Sequence, residues 1–181
     1  MIITNGKVFQ EDGSYKVMDL YVENGRLVSS PEEVTDKTQL DAAGFKVLPG
    51  LVDIHSHGAK RHDFSDADTG GLKVILQYEK SQGVTSYCPT SMTLPKEELL
   101  AIFQTAADVE QDDTCAHIVG INMEGPFLDP AKKGAHVEGY IRKPDVEFFR
   151  ECNKAANGMI KVVTLAPNME GAEEFIKELH D

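Results

Sequence analysis

Two histidines one residue apart, His55-Ser56-His57, directly follow the short apolar run Leu51-Val52-Asp53-Ile54. In a β-strand, residues i and i+2 point to the same face, so both imidazoles would project together from the strand's C-terminal end. That is metal-ligand geometry, and the C-terminal ends of parallel strands are where α/β barrels gather their functional groups. A carboxylate occupies the corresponding place further on, Glu124 in Met123-Glu124-Gly125-Pro126-Phe127, at the end of the run His117–Met123. Zn²⁺ and Fe²⁺ accept mixed nitrogen and oxygen ligands, so Glu124 could join the two imidazoles around one such ion. Taken singly, each feature has an ordinary reading: two histidines on an exposed loop, a solvated glutamate before a turn. Recurrence at strand ends is what separates the functional reading from the ordinary one.

A third candidate is the loop Lys132-Lys133-Gly134-Ala135-His136, which follows the same strand and so lies on the same rim. Gly134 and Ala135 would let a ligand approach backbone amides, and His136 can donate a hydrogen bond. The ordinary alternative is a charged surface loop. His117 begins a strand and His180 lies in the terminal helix, so both read as structural or solvated; His62 reads as a loop residue outside the site. Asp53, two residues before His55, suits a supporting or packing role. Asn122 and Asn168 lie near strand ends without an assigned task.

The elements that must position these groups change character near residue 50. Before it, Asn5-Gly6 and Asn24-Gly25 are two-residue hairpin signals, flanked by Ile2-Ile3/Val8-Phe9 and by Leu20-Tyr21-Val22/Leu27-Val28. A third short strand is expected through Phe45, Val47 and Leu48. After Pro49-Gly50, short β-branched runs alternate with helical stretches: strands at 51–54, 84–88, 117–123 and 160–165, each followed by a helix. Helices are expected around Leu72–Glu79, from Pro95, from near Pro144 and from Ala172, with Gly83 and Asn157-Gly158 closing the first and third. Repeated βα units fit either an eight-stranded barrel or a doubly wound open sheet, and periodicity does not separate the two. A closed barrel takes about 250 residues, so four units would make half of one.

Composition excludes several function classes. The 181 residues are 41% hydrophobic and 27% charged, with 30 acidic against 18 basic side chains and a formal net charge of −12. Repulsion of that sign argues against nucleic-acid binding. No apolar run approaches the roughly 18 residues that span a bilayer, and the opening lacks the basic and apolar regions of a secretory leader. A cytoplasmic address and no membrane partner are the expectation. Cys88, Cys115 and Cys152 form no C-x-x-C pair and read as reduced thiols.

The run Val47-Leu48-Pro49-Gly50-Leu51-Val52-Asp53-Ile54-His55-Ser56-His57-Gly58 resembles the first-strand signature of the amidohydrolase superfamily. Met123-Glu124-Gly125-Pro126-Phe127, then Lys133-Gly134-Ala135-His136, then Thr164-Leu165-Ala166-Pro167 narrow the resemblance to the N-acetylglucosamine-6-phosphate deacetylase family, along all 181 residues. The resemblance implies an α/β fold: residues 1–50 as part of a small β-sandwich domain, and residues 51–181 as the N-terminal half of a (β/α)8 TIM-type barrel. It implies Glu124 as ligand of a principal divalent metal ion, Zn or Fe, and His55 and His57 as ligands of a second, with one or two ions per site in the complete enzyme. Ala135, through its backbone, and His136 would contact the sugar phosphate substrate.

The reaction so implied is hydrolysis of the acetamide of N-acetylglucosamine 6-phosphate to glucosamine 6-phosphate and acetate, by a homodimer. The catalytic aspartate and two further histidine ligands of the family would lie beyond residue 181, so this chain alone is expected to turn over little or no substrate. Asn168 departs from the family's usual Glu after Ala-Pro. Two alternatives stand beside this reading. One is a dihydroorotase- or hydantoinase-like amidohydrolase, which would need a lysine at the end of the fourth strand, where Lys161 is at the wrong end. The other is a noncatalytic truncated fragment.

Overall fold

The computed structural model describes residues 1–180, which divide into two compact units, Met1–Pro49 and the segment from Gly50 onward. In the first unit, β1 (Ile2–Phe9) pairs antiparallel with β2 (Tyr15–Glu23), which pairs antiparallel with β3 (Arg26–Val28). On its other side β1 takes β4 (Gln39–Asp41) and β5 (Lys46–Val47), both parallel. Asn24 and Gly25 form the β2–β3 turn, with φ of 50° and 73°, the left-handed pair that a two-residue hairpin needs.

Asn5-Gly6 does not make a hairpin. It lies inside β1, where Asn5 has φ 60° and the register with β2 shifts between Ile3 and Gly6. Neighbouring carboxylates hold the irregularity in place: the Asn5 backbone N–H donates to Asp19 Oδ1 at 2.9 Å and its side-chain amide to Asp41 Oδ1 at 3.1 Å. Gly6 is required by space, because a Cβ there would stand 2.6 Å from Val47 Cγ2. The β1–β2 connection falls instead at Gln10–Ser14, around Gly13 with φ 81°. Leu40, Phe45 and Leu48 of this unit are each more than half exposed.

The second unit contains β6 (Leu51–Ser56), a small antiparallel pair β7 (Gly58–Ala59) and β8 (His62–Asp63), then α1 (Thr69–Ser81) and β9 (Val84–Ser91). They are followed by α2 (Lys96–Asp108), β10 (His117–Ile118), β11 (Ile121–Glu124), α3 (Val146–Ala155), β12 (Ile160–Thr164) and α4 (Ala172–His180). All long-range pairs here are parallel: β6 with β9, β9 with β10 and β11, β11 with β12. The expected third strand is thus two short pieces. Between them Gly120 packs on Lys161, so closely that a Cβ would meet Lys161 Cγ at 2.7 Å.

Helices form where a cap and an apolar stripe coincide. The Asp68 carboxylate accepts from the N–H groups of Gly70 and Gly71 and starts α1, whose Leu72, Ile75, Leu76 and Glu79 are buried at i, i+3, i+4 and i+7. Pro95 precedes α2, Glu97 and Glu98 face its positive end, and Leu99, Ile102, Phe103 and Ala106 repeat the stripe. Asp145 caps α3 through Phe148 N at 3.0 Å. Phe127, Phe148, Phe149 and Phe175 join α3, α4 and the loop after β11 in edge-on pairs with centroids 4.9–6.0 Å apart. These side chains belong to one core with Tyr87, Ile121 and Met123 of the sheet. Among the described residues β6 is bonded on one side only, to β9, and it exposes Leu51, Val52 and Ile54 by more than half each. Among the described residues, no helix is long and apolar enough to cross a membrane.

Candidate metal centre

β6 and β11 both pair with β9 and end at the same rim of the sheet, and contacts from Asn122 and from β9 fix the alignment. Asn122 of β11 is buried, and its amide donates to the Ile54 carbonyl of β6 at 2.9 Å. Ser56, the last residue of β6, is gripped from β9 at both backbone groups: its N–H donates to Thr90 Oγ1 at 3.1 Å, and its carbonyl accepts from the Tyr87 hydroxyl at 3.1 Å. Burial pushes the Tyr87 hydroxyl well above its ordinary pKa, so it stays a protonated donor.

On this frame His55, His57 and Glu124 converge, with one candidate ligand atom from each lying within 4.8 Å of the others. Glu124 Oε2 stands 3.1 Å from His55 Nε2 and 3.2 Å from His57 Nε2. Ligand atoms bound at about 2.0 Å around a tetrahedral ion are about 3.3 Å apart, so these spacings fit a borderline divalent metal. The donor set fits too: two neutral imidazoles, one carboxylate, and a half-exposed His55 that leaves the centre open to a further ligand. The His57 ring is oriented by its Nδ1, 3.0 Å from the Thr90 carbonyl oxygen. A carbonyl only accepts, which places the hydrogen on Nδ1 and the lone pair on Nε2, facing Glu124. The His55 backbone N–H donates to Asp53 Oδ1 at 2.9 Å, so Asp53 supports the strand end.

His136 also reaches the cluster. Its buried ring brings Nε2 to 3.5 Å from Glu124 Oε1, the carboxylate oxygen that the other two histidines do not share. Lys133 Nζ donates to the His136 carbonyl at 3.0 Å, closing the loop that carries Ala135. His62 stands apart, packed against Gly71 at the start of α1. Asn168 donates to Asp129 Oδ2 at 2.8 Å, joining the loop after β12 to the loop after β11. Lys161 is near the start of β12 and donates to the Gly158 carbonyl at 2.9 Å, away from the rim where a bridging lysine would be needed. Sequence reasoning overlooked Thr90, Tyr87 and Asn122 as the residues that align the two strand ends. Asn122, a polar residue inside the apolar run 117–123, was the one visible signal.

No family model matches the chain. It is 33% identical over 184 residues to N-acetylglucosamine-6-phosphate deacetylase of Bacillus subtilis (strain 168), a match covering 99% of this chain and 44% of that protein. Among solved structures, N-acetyl-D-glucosamine-6-phosphate deacetylase from Mycobacterium smegmatis superposes with a TM-score of 0.81 at 28% identity, over 99% of this chain and 47% of that one. A variant of the same enzyme in complex with N-acetyl-D-glucosamine-6-phosphate gives 0.80 at 26% identity, over 99% of this chain and 47% of that one. The α/β fold with a parallel sheet is shared with these structures, and the chain spans about half the length of the curated relatives it matches.

Proposed function

We propose that this chain, similar along its whole length to N-acetylglucosamine-6-phosphate deacetylases, is the N-terminal, metal-holding part of such an enzyme. The convergence of His55, His57 and Glu124 at one strand rim carries the reading. In it, the unit from Gly50 onward is half of a (β/α)8 barrel. Each next parallel strand joins beside its predecessor, the order of a singly wound barrel rather than of a doubly wound sheet. The unprotected apolar edge of β6 is the surface such a barrel would close. The first unit, with its exposed Leu40, Phe45 and Leu48, is part of a β-sandwich.

His55, His57 and Glu124 would hold a Zn²⁺ or Fe²⁺ ion, which, when bound, acidifies a water and polarises an amide carbonyl. The chain's own residues then do three things. Glu124 and the two imidazoles present a compact set of lone pairs at the rim. The Thr90 carbonyl keeps His57 in the ligand tautomer. His136 and the Ala135 backbone contact the sugar phosphate. Proton transfer to the departing amine falls to an aspartate in the other half of the enzyme, which works as a homodimer. The products are glucosamine 6-phosphate and acetate.

The test is acetate release from N-acetylglucosamine 6-phosphate in the presence of Zn²⁺. The chain alone is compared with the chain extended by the complementary half of the Bacillus subtilis relative. Activity in the extended form, lost on Glu124→Ala, supports the assignment. Failure of a folded, zinc-loaded extended form to release acetate sinks the substrate, and turnover by the short chain would sink the claim that its catalytic aspartate lies elsewhere.

A further inference from the structure

Two imidazoles flank Glu124 with opposite ring polarity. His57 gives its Nδ1 hydrogen to a carbonyl, whereas the Nδ1 atom of His136 receives a hydrogen: the Thr93 peptide N–H donates to it at 3.2 Å. A nitrogen that accepts keeps its lone pair, so in neutral His136 the hydrogen sits on Nε2. That Nε2–H faces Glu124 Oε1 at 3.5 Å, the outer limit of a direct hydrogen bond. An imidazole with hydrogen on Nε2 has no lone pair there for a metal, so His136 is a donor and not a fourth ligand. The reverse tautomer would turn two N–H groups against each other at Thr93 and two lone pairs against each other at Glu124.

Neither partner has room to rearrange. His136 is 7% exposed and Thr93 2% exposed. Thr93 is also wedged against the turn that follows Glu124: a Cβ on Gly125 would stand 2.1 Å from Thr93 Oγ1. The hydroxyl itself has no hydrogen-bond partner among the described residues, so the polar contact at this residue is made by its backbone. One residue therefore touches both the ring that faces the carboxylate and the backbone that carries it.

We infer that Thr93 is a positioning residue of the centre: its peptide N–H holds His136 as the Nε2–H tautomer, which steadies Glu124 Oε1 and leaves Oε2 for the metal shared with His55 and His57. Partners of ligating carboxylates of this kind are worth about 10- to 100-fold in metal affinity. The metal readout rests on the deacetylase-type centre proposed above; the tautomer does not.

The first experiment is NMR on the ¹⁵N-labelled chain at one fixed pH without metal, with His136 assigned by the signals lost in His136→Gln. A ¹⁵N–¹⁵N coupling across the Thr93–His136 hydrogen bond, with the ring pattern of an Nε2–H imidazole, is expected; an Nδ1–H pattern overturns the inference. The second is Zn²⁺ titration of three variants. His136→Ala should weaken binding at least 10-fold, and His136→Gln, whose amide reaches the Nε2 position, should recover most of the loss. His136→Asn, which reaches only the Nδ1 position, should not. Unchanged affinity in His136→Ala, or equal loss in the Gln and Asn variants, overturns the donor role. If the unsubstituted chain takes up no Zn²⁺, the metal reading fails while the coupling still decides the tautomer.

Discussion

His57 Nδ1 lies 3.0 Å from the carbonyl oxygen of Thr90, and this one contact turns the other ring nitrogen, Nε2, toward Glu124 with its lone pair free. The carbonyl belongs to β9, between the two strands whose ends carry His55, His57 and Glu124. The same strand that aligns β6 and β11 thus also sets the tautomer of His57.

The chain by itself should therefore bind Zn²⁺. At a free concentration about 100 times the dissociation constant, binding to the folded state alone adds about 2.7 kcal/mol of stability. A chelator should reverse the gain. Glu124→Ala, which removes the atom common to both imidazole contacts, should abolish it, and His57→Ala should weaken binding at least 10-fold. Thermal melts with and without Zn²⁺ read all of these. An equal melting temperature with and without the ion would show that the three groups converge without forming a site.

Glu79 supplies a prediction about pH. It is buried on α1, and loss of solvent, followed by the nearby Asp53 carboxylate, raises its pKa above the ordinary 4.5. The sign follows from linkage: the folded state holds this proton more tightly than the unfolded state. Its contribution to stability is full below pH 4.5 and is lost as pH rises through the raised value. Glu79→Gln should therefore raise the urea midpoint at pH 8, with the difference from the parent shrinking toward pH 4. A constant difference at both pH values would mean that packing, not charge, explains the effect.

What the sequence reveals of all this depends on how local the cause is. The four strand–helix units were legible because stripe and cap lie within a few residues, as with Leu72, Ile75 and Leu76 before Gly83. That His55, His57 and Glu124 would converge was legible because the two histidines share a strand end and Glu124 closes another. Asn5-Gly6 misled, because its left-handed residue is held by Asp19 and Asp41, which are distant in sequence. Thr93 and Thr90 were invisible for a related reason: each acts through a backbone group, and a peptide N–H or carbonyl leaves no mark in residue type.

Gly125 should tolerate no side chain. Its φ is 81°, which costs an L-residue about 1–2 kcal/mol, and its space is filled by Thr93 Oγ1. Gly125→Ala should lower stability by at least about 2 kcal/mol, roughly 4–8 °C in melting temperature for a chain of this size. Because Thr93 must move, the His136 ring should lose its fixed tautomer in the same variant. A stable Gly125→Ala chain with the His136 signals unchanged would show that the contact is soft.

Cys152 tests the packing of α3. It is fully buried beside Phe148 and Phe149, and burial pushes its thiol up to about 12. Cys88 on β9 is raised for the same first reason, with Asp53 adding to it. Only the thiolate attacks a disulfide reagent, and both access and ionisation are withheld here. In the folded chain at pH 8, Cys88 and Cys152 should react at least 100-fold more slowly than in urea, as followed by release of the reagent's chromophore with peptide mapping of the modified sites. Zn²⁺ at saturation should slow the reaction further if labelling requires unfolding, since the ion binds the folded state alone. Rapid labelling of Cys152 in the native chain would mean that α3 opens locally, and the aromatic contacts joining it to α4 and to the loop after Glu124 could not then be holding the rim in place.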